Sequence, residues 1–282
     1  AAARHFGLQP EFLSADEMRL DKGVALERLE GLLKTGVRMV AISAVQFQTG
    51  FRMPLDTISG LCRKYGACLA VDAIQALGST PLDLALVDFA VAGGHKWLMG
   101  TEGAGFLYAS PAASQSLIPR TASWLSHESP IDFLFEGPGT MRYDKPIRRG
   151  IDFLEHGSPN TYGYAGLAAG VGMLAHIGVS TIHKHANAWN DALEPRLVDL
   201  GFTSVRSQEE SERSAILSVI PPPGMRQADL VTKLSERGIA ASCPDGYLRF
   251  APHWPNNINE IDHVASALQE AMKTLAPGRS QP

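Results

Sequence analysis

The residues best suited to chemistry stand directly after short apolar runs. Residues 39–42 are followed by Ser43, residues 69–71 by Asp72, and residues 89–92 by the sequence Gly-Gly-His-Lys that ends at Lys96. Burying an aspartate at the end of a strand is costly unless a cation or hydrogen-bond donors face it. Asp72 therefore predicts a site in which a positive charge or an N–H group meets its carboxylate.

The spacing of these residues favours a shared location. Gln75 is three residues after Asp72, so a turn or helix start can direct both side chains toward one pocket. Lys96 follows Asp72 by 24 residues, which matches one helix plus one strand. Ligands of open α/β sheets bind beyond the carboxyl ends of the strands, so we expect the three side chains to converge there.

Aspartate, glutamine and lysine together suit one cofactor, pyridoxal phosphate. This cofactor needs a lysine amine for its aldehyde and an anion opposite its pyridine nitrogen. We expect Asp72 to keep that nitrogen protonated and Gln75 to donate to the phenolate oxygen. Lys96 would form the Schiff base and later move a proton at the substrate α-carbon. By itself a lysine after two glycines is also typical of a surface turn, and only the combination indicates the cofactor.

Helices and strands alternate between about residues 24 and 109. Leucines 26, 29 and 33 mark one helical face that ends near Gly36, and Pro54 opens a helix that ends at Gly66. Residues 68–71, 89–92 and 105–109 are further apolar strands. Nearly continuous apolar strands separated by helices predict a mostly parallel sheet with both faces covered.

The remaining chain predicts a different architecture. Residues 10–13 resemble a strand, and residues 110–150 are rich in loops. The second half predicts helices at about 163–177, 180–200, 227–237 and 258–272, with strands at 215–220, 239–242 and 247–251. This order is typical of a small α+β domain with an antiparallel sheet.

The composition is that of a globular protein: 45% of the residues are hydrophobic and 19% are charged, with a net charge of −4. Without a long run of one charge sign, we expect no nucleic-acid and no membrane partner. Three cysteines and no apolar stretch of about 18 residues favour the reducing cytoplasm. His183 and His185 are two apart, so we expect both to be solvated and no metal to be bound.

Several motifs together resemble the class V aminotransferase family of pyridoxal phosphate enzymes, which includes cysteine desulfurases, kynureninase and isopenicillin N epimerase-like proteins. The motifs are Asp72-x-x-Gln75, His95-Lys96-Trp97, GAGFLY from Gly103, FLEHGSPN from Phe153 and LRFAPHWPNN from Leu248. The resemblance covers nearly the whole chain.

The resemblance implies fold-type I, an α/β architecture, and a homodimer with shared active sites. It implies a large cofactor domain, incomplete at its N-terminus, over residues 1–152, and a small C-terminal domain with its connecting helix over residues 153–282. The roles that it implies are Asp72 on the pyridine nitrogen, Gln75 on the phenolate oxygen, Lys96 as the Schiff-base lysine, His95 as a phosphate or pocket contact, Arg249 on the substrate α-carboxylate, and Ser158 on the phosphate of the neighbouring subunit.

Three departures from the family pattern stand out. Family members usually carry a further segment before Ala1, with a phosphate cradle at a helix N-terminus and a ring-stacking residue, so the chain is expected to be truncated. Phe47 occupies the place of a polar asparagine in desulfurases. Cys243 lacks the extended loop of a desulfurase nucleophile, so it is either a small buried residue or a catalytic thiol.

The predicted function is that of a pyridoxal phosphate enzyme of the class V aminotransferase type, a transferase acting on an amino acid through Lys96. Cysteine desulfurase or other lyase chemistry and epimerisation are alternatives on the same scaffold. A folded but catalytically incompetent relative is a further alternative. Arg249 predicts a substrate α-carboxylate, although an arginine on a strand is also typical of an exposed surface.

Overall fold

The computed structural model describes residues 2–142 and 144–275. The helices are α1 (Ala2–His5), α2 (Ala15–Leu20), α3 (Lys22–Lys34), α4 (Leu55–Tyr65), α5 (Pro111–Ser116), α6 (Thr161–Ile177), α7 (Val179–Asp199), α8 (Gln227–Ser235) and α9 (Ile261–Leu275). The strands are β1 (Met39–Ser43), β2 (Cys68–Asp72), β3 (Phe89–Gly93), β4 (Gly105–Ala109), β5 (Thr203–Ser204), β6 (Leu217–Ile220) and β7 (Leu248–Phe250).

The first sheet has the strand order β1-β2-β3-β4. Strands β1, β2 and β3 are parallel, and β4 runs antiparallel to β3. Ser43 pairs with Asp72, which in turn pairs with Val91. The carboxyl ends of the three parallel strands therefore lie side by side, as the sequence predicts.

Helix α4 shows how local signals build the core of this sheet. It starts directly after Pro54 and ends at Gly66, whose φ of 67° is the left-handed conformation that glycine adopts at little cost. Its residues Ile58 and Cys62 are buried with Leu69 of β2 in one core cluster. Complete burial of a side chain such as Ile58 contributes about 1.5–3 kcal/mol.

Two predictions for this half of the chain are wrong. The sequence predicts that both faces of the sheet are covered, but in the described part of the chain one face is open. On that face Met39 is 51% exposed and Val91 is 45% exposed. The link between β2 and β3 contains turns and a short 3-10 helix (Leu84–Leu86) instead of an α-helix, since Gly78 and Pro81 interrupt it. The described helices α3 and α4 share the opposite, buried face, so the open face has no helix from this link.

Residues 10–13 are a further correction. The segment has no regular secondary structure and joins neither sheet of the described chain.

The second sheet is antiparallel, with the order β5-β6-β7. Its core includes Leu217 of β6 and Leu248 of β7 with residues of α7, α8 and α9. The predicted strand 239–242 does not form; only Ser242 makes an isolated bridge, to Arg249. The short strand β5 was missed, because two residues carry no recognisable alternation.

The segment after β1 joins the two sheets. Phe51 forms a bridge with Arg213, and the Ser214 hydroxyl donates to the Gly50 carbonyl at 2.7 Å. Gly50 has φ +76°, and a Cβ there would lie 2.6 Å from the carbonyl oxygen of Ile216. The close approach requires glycine and fixes this segment against the start of β6. A domain boundary at residue 152 stays a prediction.

None of the described helices alone is long and apolar enough to cross a membrane. Helices α6 and α7 meet those criteria only as a pair, and the pair is bent by 78°.

Candidate functional site

Asp72 ends β2 with a free carboxylate oxygen. Its Oδ1 accepts a hydrogen bond from the backbone N–H of Ile74 at 3.0 Å, which holds the side chain at the start of the following turn. Among the described residues Asp72 has no ion-pair partner. It lines a groove of about 340 Å³ on the open sheet face, together with Ser43 and Val91. That volume is at the lower end of the range of small-molecule pockets, about 300–1,000 Å³.

Gln75 is held by the residue next to the lysine. It is only 6% exposed, and its Oε1 accepts a hydrogen bond from the indole Nε1 of Trp97 at 2.9 Å. The amide nitrogen of Gln75 forms no hydrogen bond in the described structure, yet it is not one of the fully buried unpaired atoms. This nitrogen is therefore an available donor. Sequence reasoning missed Trp97, whose type and position carry no signal of this contact.

The loop that carries Lys96 is held by backbone hydrogen bonds. The Gly94 N–H donates to the Ala104 carbonyl at 2.7 Å, and the Gly100 N–H closes the loop onto the Gly94 carbonyl at 2.8 Å. Met99 has φ +55°, a costly conformation for a non-glycine residue that its surroundings must hold in place. Lys96 itself is exposed, and its amine has no hydrogen-bond or ion-pair partner among the described residues.

The turn after Gln75 packs directly on this loop. Gly78 has φ +98°, and a Cβ there would lie 2.3 Å from the carbonyl oxygen of Trp97. Any other residue would force the two backbones apart. The glycine thus brings the turn that follows Gln75 against the loop that carries Lys96.

Two histidines from the second half of the chain hold the same turn. The Nε2 of His253 donates to the Gly78 carbonyl at 3.1 Å, and its ring lies 5.5 Å from that of Trp97 in an edge-on arrangement. The Nδ1 of His183 donates to the Ser79 carbonyl at 3.2 Å. Burial lowers the pKa of both histidines, which favours the neutral form.

The expected solvation of His183 and His185 is therefore wrong. The Nε2 of His185 donates to the Asn256 carbonyl at 2.7 Å, and both rings are half-buried where α7 packs on neighbouring loops. The spacing of two residues allows this because each histidine faces a different loop.

Arg249 reaches from the second sheet toward the first. Its Nε donates to the Ser242 hydroxyl at 2.9 Å, and its Nη1 donates to the Phe47 carbonyl at 2.6 Å. The guanidinium is half-buried, which lowers its pKa, but an arginine stays protonated. No carboxylate pairs with it among the described residues, and its remaining N–H groups are available to an anion. Phe47 contributes only its backbone carbonyl to this contact, so its side-chain type gave no signal of it in the sequence.

The other predicted residues are less closely tied to this group. His95 is exposed, and its ring packs so near Gly93 that a Cβ there would lie 2.9 Å from it. Ser158 is exposed, two residues before the N-cap of α6, and forms no hydrogen bond with any of the residues above. Cys243 is exposed, so the expectation of a small buried residue is wrong. A tight turn over Pro244–Gly246 follows it and leaves the thiol outside the core.

The arrangement brings Asp72, Gln75 and Lys96 to one edge of the sheet. Each retains an unused group: a carboxylate oxygen, an amide N–H and an amine. An anion, a neutral donor and a primary amine are the groups that pyridoxal phosphate needs at its pyridine nitrogen, its phenolate oxygen and its aldehyde. The residues present therefore fit that cofactor.

Comparison with known sequences points to one family. The class-V aminotransferase family matches residues 7–246. A probable cysteine desulfurase of Chlamydia muridarum (strain MoPn / Nigg) is 33% identical over 233 residues, which cover 78% of this chain and 53% of that protein. The uncharacterized aminotransferase YcbU of Bacillus subtilis (strain 168) is 26% identical over 91% of this chain and 65% of its own length. The isopenicillin N epimerase of Streptomyces clavuligerus is 26% identical over 94% of this chain and 68% of its own length.

Comparison with solved structures shows the fold. The apo structure of a cysteine desulfurase from Thermococcus onnurineus NA1 superposes with a TM-score of 0.81 at 23% identity, over 96% of this chain and 68% of that one. A mutant of C-DES with glycine covalently linked to its PLP cofactor also gives 0.81 at 23% identity, over 94% and 69%. The predicted fold-type I α/β architecture is confirmed. The chain spans 53% and 65% of the length of the first two curated relatives above.

Proposed function

We propose that this chain, which belongs to the class-V aminotransferase family, acts on an amino acid through Lys96 as part of a pyridoxal phosphate enzyme. Pyridoxal phosphate is the cofactor of this family. One observation supports the proposal for these residues: Asp72 ends β2 beside β3, Gln75 bonds to Trp97 next to Lys96, and each of Asp72, Gln75 and Lys96 has an unused polar group.

Asp72 and Gln75 would hold the ring. The free carboxylate oxygen of Asp72 would keep a proton on the pyridine nitrogen, and the hydrogen bond from the Ile74 N–H orients that carboxylate. The amide nitrogen of Gln75 would donate to the phenolate oxygen. The cofactor held in this way would supply an electron sink for a bond broken at the substrate α-carbon.

Lys96 has two tasks. Its amine would hold the cofactor through the aldehyde while no substrate is present. With substrate bound, the same amine would move a proton at the substrate α-carbon. The hydrogen-bonded loop from Gly94 to Gly100 keeps the backbone of Lys96 in place while its side chain moves.

Arg249 would bind the substrate. Ser242 and the Phe47 carbonyl orient its guanidinium, and its remaining N–H groups form a fork that matches an α-carboxylate. His95 would contact the phosphate or the pocket. The exposed hydroxyl of Ser158 is available for the phosphate of a neighbouring subunit in a homodimer. The cytoplasm is the proposed location.

Transamination is the reaction type that we favour. Cleavage of a carbon–sulfur bond is a second candidate. It is favoured by the exposed Cys243, which adjoins Ser242 and therefore lies near the guanidinium of Arg249. Conversion of alanine but not cysteine favours transamination. Release of sulfide from cysteine in the presence of an added thiol reductant, which reduces a persulfide formed on Cys243, favours the second candidate if it is lost in Cys243→Ser.

The test of the proposal is covalent capture of the cofactor. The purified protein is incubated with pyridoxal phosphate, reduced with borohydride, digested and analysed by mass spectrometry. We expect the reduced adduct on Lys96 and no adduct in Lys96→Ala, whereas Lys184→Ala, which removes an exposed lysine of α7, labels normally. An adduct that survives Lys96→Ala at an equal level would contradict the proposal. An adduct on Lys96 without turnover of any amino acid would favour the catalytically incompetent alternative.

A further inference from the structure

We infer that Trp97 is a positioning residue: its indole N–H fixes the side-chain amide of Gln75 so that the amide nitrogen is left to donate to the bound cofactor. The inference rests on the proposed function and deepens it. In this inference, Trp97 determines whether the side chain of Gln75 presents its donating nitrogen or its accepting oxygen to the cofactor.

The chemistry of the two side chains settles the orientation. An indole N–H donates and cannot accept, whereas a glutamine amide has one accepting oxygen and one donating nitrogen. Only the oxygen of Gln75 can therefore face Trp97, at the observed 2.9 Å. A flipped amide would bring two donors together in a buried position, and a buried hydrogen bond of this kind favours the observed orientation about tenfold. Without the indole N–H, nothing in the described contacts of Gln75 distinguishes the two orientations.

The packing around Trp97 prevents the indole from turning away. Trp97 is only 8% exposed. The ring of His253 packs on it at 5.5 Å, and the same histidine donates to the Gly78 carbonyl at 3.1 Å. The backbone of Gly78 lies against the Trp97 carbonyl, so the turn after Gln75 and the indole are held as one unit.

The orientation matters because the phenolate oxygen of the cofactor is an anion. An N–H group beside it stabilises the negative charge and lowers its affinity for a proton, whereas an amide oxygen in the same place repels it. Trp97 should therefore set the pH at which the lysine-linked cofactor changes its absorbance, without touching the cofactor.

The experiment measures that pH midpoint in the protein loaded with pyridoxal phosphate. Gln75→Met removes the donor, and we expect the midpoint to rise by about one pH unit, which is a tenfold lower proton concentration. Trp97→Phe keeps an aromatic ring next to His253 but removes the indole N–H, and we expect a smaller rise in the same direction. Trp97→Phe should add nothing in the Gln75→Met background, because the effect passes through the amide. Trp254→Phe is the matched control, since its indole donates to the Met99 sulfur and not to Gln75.

A second measurement needs no cofactor, and it tests the inference even if the Trp97→Phe variant folds poorly. In the ligand-free protein, Gln75→Met should shift the NMR resonance of the Trp97 indole N–H and speed its hydrogen exchange. The inference is overturned if this exchange is unchanged, if Trp97→Phe leaves the midpoint unchanged, or if Trp97→Phe moves it equally with and without Gln75. Failure of the proposed function is seen separately, as wild-type protein that captures no cofactor on Lys96, and this inference then falls with it.

Discussion

Replacing Gly78 by alanine is expected to lower the free energy of unfolding by about 3 kcal/mol. The φ of +98° adds a conformational cost of about 1 kcal/mol for a residue with a Cβ. The new Cβ would also lie 2.3 Å from the carbonyl oxygen of Trp97. Because the clashing atom belongs to the backbone, the whole loop must move, which adds about 2 kcal/mol by analogy with overpacked cores.

Urea unfolding followed by circular dichroism measures this difference. Gly36→Ala is the matched control, because Gly36 has a similar φ of +93° but no atom within 4 Å of the position of a Cβ. We expect Gly36→Ala to cost about 1 kcal/mol, so that the two variants differ by about 2 kcal/mol. Equal losses of stability in the two variants would refute the argument that the turn is pressed against the lysine loop. Gly78→Ala should also weaken capture of pyridoxal phosphate, whereas Gly36→Ala should not.

Three further predictions follow from charge and burial. Burial, with the nearby Arg52, lowers the pKa of His183 below its ordinary 6.5, so stability should be complete above that pH and fall as the pH drops below it. Urea unfolding from pH 7.5 to 5 should show a weaker pH dependence in His183→Gln, and an unchanged dependence would contradict the assignment. Arg249→Lys should weaken amino-acid binding to the loaded enzyme at least about tenfold, measured by spectral titration, because lysine cannot form the fork; unaltered affinity would argue against carboxylate binding there. Burial raises the pKa of Cys62 to about 11, so iodoacetamide should label the exposed Cys243 first, as read by mass spectrometry; faster labelling of Cys62 would contradict its burial.

Much of the fold could be predicted because its signals are local. Pro54 and Gly66 delimit α4 through backbone conformations that depend on only a few neighbouring residues. The apolar runs around Leu69 and Val91 form the parallel strands of the first sheet. The prediction of a helix between β2 and β3 failed because it rested on the length of the link, and Gly78 and Pro81 make that link form turns that pack against the lysine loop.

The candidate site divides in the same way. The positions of Asp72, Gln75 and Lys96 near one edge of the sheet could be predicted from the sequence, because the carboxyl ends of neighbouring parallel strands lie at the same edge. The surroundings could not be predicted. His253 donates to a carbonyl 175 residues earlier in the chain, and Arg249 to one 202 residues earlier.

The sequence by itself determined which residues can do chemistry and at which edge of the sheet they stand, since both follow from residue type and from strand direction. Only the tertiary structure decided which atoms of those residues are free. The nitrogen of Gln75 is available because its oxygen accepts the hydrogen bond from Trp97. Part of the Arg249 guanidinium is available because the Phe47 carbonyl accepts a hydrogen bond only from Nη1. Such choices depend on how distant surfaces pack, and a backbone carbonyl is the same chemical group in every residue of the chain.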